Sequence, residues 1–94
     1  MRELEYKEFL ESAEEINSKN KAVKSRISRA YKAEDILGCS LDEIVIDDDR
    51  MYDALQLINH DSRENNGNIQ NAVRWYYKFA NGKTFPRLTA YRKL

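Results

Sequence analysis

One cysteine, one histidine, one proline and three glycines occur in 94 residues, and each shortage removes a possibility. Cys39 by itself closes no intrachain disulfide, and with His60 as the sole imidazole no Cys/His metal cage assembles. Neither residue stands in a pattern pairing a nucleophile with a base and an orienting group, and no Gly-rich phosphate loop is present, so a non-enzyme without a cofactor is expected. No apolar run approaches membrane-spanning length. The acidic opening Met1 to Tyr6 lacks the apolar stretch of a secretory signal, which leads to the expectation of a cytoplasmic protein without membrane contact. The scarcity of proline, glycine and β-branched residues favours helices joined by short loops, and the length suits one domain, 1–94.

What the chain holds in quantity is charge. Sixteen basic and sixteen acidic residues cancel, and the mean hydropathy is −0.80. The signs are not mixed: residues 1–18 sum to −4, 19–33 to +6 with no acid, 34–64 to −8, and 65–94 to +6, again with no acid. Two arrangements follow. If the basic blocks share one side of the fold, the neutral chain presents a cationic face; if each packs beside an acidic block, the pattern only ties the fold together.

Apolar residues recur at helical spacing, so we expect an all-α bundle of four to five helices, at 3–17, 20–37, 41–46, 49–59 and 68–81, with a tail over 83–94. Leu4, Tyr6, Phe9, Leu10, Ala13 and Ile16 mark the first, and Asn17 to Asn20 a polar break. Val23, Ile27, Ala30, Ala33, Ile36 and Leu37 mark the second, stopped by Gly38. Ser40 and Glu43 form a capping box for a short third helix. Asp47 to Asp49 lead a fourth, whose stripe is Met51, Tyr52, Leu55 and Ile58. Residues 61–67 read as an exposed loop, and Asn68 as the cap of a fifth helix with Ile69, Ala72, Val73, Tyr76, Phe79 and Ala80 on one face. The expected core is Leu4, Phe9, Leu10, Ile16, Val23, Ile27, Ile36, Leu37, Leu41, Ile44, Met51, Leu55, Ile58, Ile69, Val73, Tyr76 and Phe79. Phe85, Pro86, Leu88 and Tyr91 make the tail too apolar for a linker, so it packs back or leads to another domain.

Two helix faces carry the candidate chemistry. On helix two, Lys24, Ser25, Ser28, Arg29 and Lys32 lie on one arc, with Lys19 and Lys21 before it; cations and hydroxyl donors of this kind suit phosphates. On helix five, Gln70, Asn71, Arg74 and Lys78 cluster opposite the apolar stripe, where amides can meet base edges and cations can meet phosphates. Trp75 and Tyr77, on the shoulders of that stripe, serve either as core aromatics or as flat contact surfaces. Asp47, Asp48, Asp49 and Asp53 lack the spacing and distal Glu of a calcium loop, so capping is expected of them and no metal.

The order of a first helix, a basic Ser25-Arg26-Ile27-Ser28-Arg29-Ala30 helix, the Leu41-Asp42-Glu43-Ile44 turn, an Asp-led helix, a loop, and Asn71 to Phe79 (Asn-Ala-Val-Arg-Trp-Tyr-Tyr-Lys-Phe) resembles the SAM-like core-binding domain of phage integrases and related tyrosine recombinases, over about residues 3–82. The resemblance implies a helical unit that clamps DNA through its basic helix and its last helix. The recombinase catalytic domain has no counterpart in these residues, so binding without cleavage is implied, by a free-standing module or by part of something longer. A second reading, motivated by the acidic 34–64 stretch and the aromatic tail, is a protein-interaction or oligomerisation module whose partner is a basic protein or a second copy.

Overall fold

The structure is a computed structural model that describes residues 1–13 and 19–91. The expected core residue Ile16, the start of the polar break at Asn17, the side chain of Lys19, and the tail cations Arg92 and Lys93 lie outside the described residues. The acidic N-terminal segment opens helix α1 (Glu3–Ser12), with Glu3 and Glu5 at the positive end of its dipole. Tyr6 and Leu10, one helical turn apart, are fully buried, and each contributes roughly 1.5–3 kcal/mol by leaving water. Leu4, expected in the core, is 65% exposed: it stands about 200° round the helix from Tyr6. The helix also ends before residue 17. Ala13 is extended, its N–H returning to the Leu10 carbonyl at 3.3 Å, and Glu11 adds a negative charge to the last turn, at the negative end of the dipole.

Helix α2 (Lys19–Leu37) buries Val23, Ala30 and Ala33 and stops where Gly38 takes a left-handed conformation (φ 71°), its N–H closing on the Glu34 carbonyl at 2.8 Å. The capping box forms as the spacing predicts. Ser40 Oγ accepts from the Asp42 N–H at 3.2 Å and the Glu43 carboxylate accepts from the Ser40 N–H at 3.3 Å, starting α3 (Leu41–Val45). Asp47 Oδ1 accepts from the N–H groups of Asp49 and Arg50 and starts α4 (Asp48–Asn59), which buries Met51, Ala54, Leu55 and Ile58.

Helix α5 (Asn68–Asn81) begins by a different device from the expected Asn68 cap. Gly67, at φ 76°, supplies no side chain, and Glu64 reaches over it: its two carboxylate oxygens accept from the N–H groups of Ile69 at 2.9 Å and Gln70 at 2.8 Å. Partial burial opposes ionisation of Glu64, but these bonds, with one from Asn65, hold its carboxyl below the ordinary value.

Among the described residues there is no strand, and the fold is an all-α bundle around α5, which touches all four other helices and packs most extensively on α2. Tyr6, Tyr76 and Phe79 form an aromatic cluster, the Tyr6–Tyr76 ring centroids being 4.9 Å apart. Ala30, Ala33, Ala54 and Ala72 are buried beside the larger side chains, so small residues let the helices approach closely. The tail packs back. Phe85 is buried against Tyr77, and Tyr91 stacks on Tyr52 of α4 at 5.4 Å.

Candidate nucleic-acid interface

Helix α5 exposes a strip on the side opposite its buried Ile69, Val73 and Tyr76. At about 100° per residue, Asn71, Arg74, Trp75 and Lys78 fall within a third of a turn of one another. With Thr84 of the tail they line a cavity of about 210 Å³. No carboxylate is among these lining residues.

Trp75, half-buried, is the centre of the strip. The guanidinium of Arg26 on α2 lies 5.3 Å from its ring centroid, the Lys78 ammonium 5.2 Å, and Phe9 of α1 meets it edge-on at 6.2 Å. Each cation over an indole contributes about 0.5–2 kcal/mol, so one ring draws a cation from each of the two basic blocks. Arg26 Nε is buried and finds no acceptor among the described residues. Such a donor costs about 1–3 kcal/mol until something accepts from it.

Arg74 anchors the tail. Its Nη1 donates to the carbonyls of Phe85 at 2.9 Å and Pro86 at 3.1 Å, and the guanidinium carbon lies 5.8 Å from the Phe85 ring. Burial lowers the Arg74 pKa from its ordinary value, the sign of a cation taken from water without a carboxylate to compensate. The tail therefore forms one wall of the cavity and is held by the same residue that charges it.

The expected site residues separate into three groups. Asn71, Arg74 and Lys78 come together as the spacing predicts. Gln70 does not join them: its side-chain amide donates to Asn59 Oδ1 of α4 at 3.1 Å, on the flank where Tyr77 is buried. On α2, Lys24 and Ser28 line a groove of about 430 Å³ facing α1, with Glu3, Lys7 and Tyr31. Arg26 is about 200° from Lys24 and so turns to Trp75; Arg29, one turn on, shares the Arg26 flank, with Ser25 and Lys32 between the two sides. A search for one cationic arc passes over Arg26, because it borders the apolar stripe. That bordering position is also its signal: the shoulder Arg of one helix meets the shoulder Trp of its neighbour.

The acidic side is occupied elsewhere. Tyr76 donates to Asp42 at 2.5 Å, Tyr77 to Asp48 at 2.8 Å and Tyr91 to Asp49 at 2.5 Å, so the carboxylates at the starts of α3 and α4 hold α5 and the tail. Comparison with protein-family models, curated proteins and solved structures finds no match to this chain.

Proposed function

We propose that this chain is a non-catalytic DNA-binding module that contacts phosphates through the seam between α2 and α5, in the manner of an integrase-like core-binding domain. The observation that carries the reading is the convergence of the two acid-free blocks: distant in sequence, they meet where Arg26 and Lys78 flank Trp75, with Arg29, Arg74 and Asn71 alongside. A cationic surface with amide and hydroxyl donors supports backbone contacts more than base readout, so binding is weakly specific and strongly salt-dependent. Lys83 and Arg87, both exposed, extend the surface along the tail and Lys32 along α2, while Lys24 and Ser28 face the groove toward α1 and stand apart from the seam.

The protein-interaction alternative loses one of its motives, because Phe85 and Tyr91 pack within the chain. The test is fluorescence anisotropy of a short labelled duplex at about 50 and about 200 mM salt. Affinity should fall steeply with salt, and Arg29→Glu with Lys32→Glu should weaken low-salt binding roughly tenfold and lower the salt slope by about one for each phosphate no longer neutralised. Unchanged affinity in the double variant removes those positions from the surface. Absence of binding at the lower salt sinks the DNA reading.

A further inference from the structure

We propose that the cavity beside Trp75 takes a single unpaired base of a DNA strand, with the neighbouring phosphate held by Arg74 and Lys78, so that the module prefers unpaired over fully paired DNA. The inference rests on the DNA-binding reading and deepens it. Size is the first argument. At about 210 Å³ the cavity is below the roughly 300–1,000 Å³ that enclose a drug-sized ligand, and suits one flat ring system.

Chemistry is the second. Trp75 offers a flat wall that the Lys78 ammonium covers at 5.2 Å from the ring centroid; a base that stacks there displaces the ammonium toward the adjoining phosphate, and it needs a free face, which a paired duplex does not present along its grooves. Asn71 brings an amide donor and an amide acceptor to the same cavity, the pair that reads a base edge, and Thr84 adds a hydroxyl from the tail.

Donors near the ring supply the third. Arg26 Nε, beside Trp75, is buried without an acceptor, and Arg74 commits only Nη1 to the tail, leaving Nε and Nη2 without a partner among the described residues. A phosphate oxygen is the acceptor that a nucleotide would bring to Arg74, which lines the cavity. The surrounding surface explains attraction to any DNA; the half-buried ring, with Asn71 and Arg74 beside it, explains why an unpaired base is held better.

Trp75 is the only tryptophan, so its emission reports on this cavity alone. The whole chain is titrated at about 50 mM salt with an oligothymidylate of about twelve nucleotides and with a blunt duplex of similar length, by anisotropy and by intrinsic fluorescence. The strand should quench Trp75 saturably and bind at least about fivefold more tightly than the duplex, which should leave the emission near its free value. Asn71→Ala, at an exposed helix position, should weaken the strand about two- to tenfold and the duplex distinctly less, because only the unpaired base uses both faces of the amide. If strand and duplex bind equally and the emission does not move, the cavity is not a base site and the DNA reading survives. If thymidine monophosphate quenches as well as the strand at equal concentration, the assignment to a strand is overturned in favour of a free nucleotide. If neither DNA binds, both readings fall.

Discussion

Replacing Tyr76 by Phe removes one hydroxyl and nothing else from the centre of the bundle. The side chain is fully buried, and its ring contacts with Tyr6 at 4.9 Å and Phe79 at 5.3 Å survive the change. The hydroxyl accepts from the Arg2 N–H at 2.8 Å and donates to Asp42 Oδ1 at 2.5 Å. A hydrogen bond to a charged group is worth about 1.5–3 kcal/mol and a neutral one about 0.5–1.5 kcal/mol. Asp42 is not stranded in the variant, because Arg2 Nε at 3.0 Å and the Met1 amine at 3.7 Å remain. The expected cost is therefore about 2–3 kcal/mol, a fall in Tm of roughly 10–20 °C for a domain of this size. Equilibrium urea unfolding followed by far-UV circular dichroism measures it, and acidification supplies a second arm. Burial pushes the Asp42 carboxyl up, but the bonds from Tyr76 and Arg2 outweigh it and hold the pKa below the ordinary 3.8. A depressed carboxylate contributes stability that is present above its unfolded value and lost as pH falls below it. The gap between wild type and Tyr76→Phe should thus narrow below about pH 3.8. A cost under about 1 kcal/mol, or a gap indifferent to pH, would refute the reasoning.

The cap on α5 and the buried phenols give two more expectations. Glu64→Ala strips the acceptors from the Ile69 and Gln70 amides, should cost about 1–2 kcal/mol and should speed hydrogen exchange at those two N–H groups; unchanged exchange would mean that Gly67 and solvent suffice. Tyr76 and Tyr77 are both pushed up to about 12, burial being the larger cause and the bonds to Asp42 and Asp48 the next. Their contribution is complete below the ordinary value of 10.0 and is lost as pH rises toward 12, so tyrosinate absorbance and loss of helix should rise together in that window. Ionisation of all six tyrosines near pH 10 with the helices intact would contradict it.

Helix order is legible in the sequence because it depends on local signals: the Ser40–Glu43 box, Asp47, and the glycines at 38 and 82 act within a few residues of themselves. The cap of α5 is not, although its start at Asn68 is, because Glu64 caps across a left-handed Gly67 and no near-neighbour rule pairs those positions. Leu4 is misread for a related reason. Its neighbours one turn on are Lys7 and Glu8, so it shares no apolar row with Tyr6 and Leu10, and the larger burial offered by those two decides which face turns inward. The candidate site is half legible. Periodicity places Asn71, Arg74 and Lys78 on one strip, whereas the loss of Gln70 to Asn59 depends on which helix packs against that edge.

Whether the two basic blocks share a side is open in the sequence, and the tyrosines explain why Arg26 of one block meets Arg74 and Lys78 of the other. Three phenols on α5 and the tail reach Asp42, Asp48 and Asp49, so the acidic stretch is fastened to one flank of α5 by its own carboxylates. The opposite flank is left to α2, whose first fifteen residues carry no acid. An α5 held by acids on one side and packed against a basic helix on the other has one place for Arg74 and Lys78, beside Arg26 and Trp75. The carboxylates of the 34–64 stretch that reach the phenols and the cations around Trp75 thus act on different flanks of one helix, although the chain's formal charge is zero.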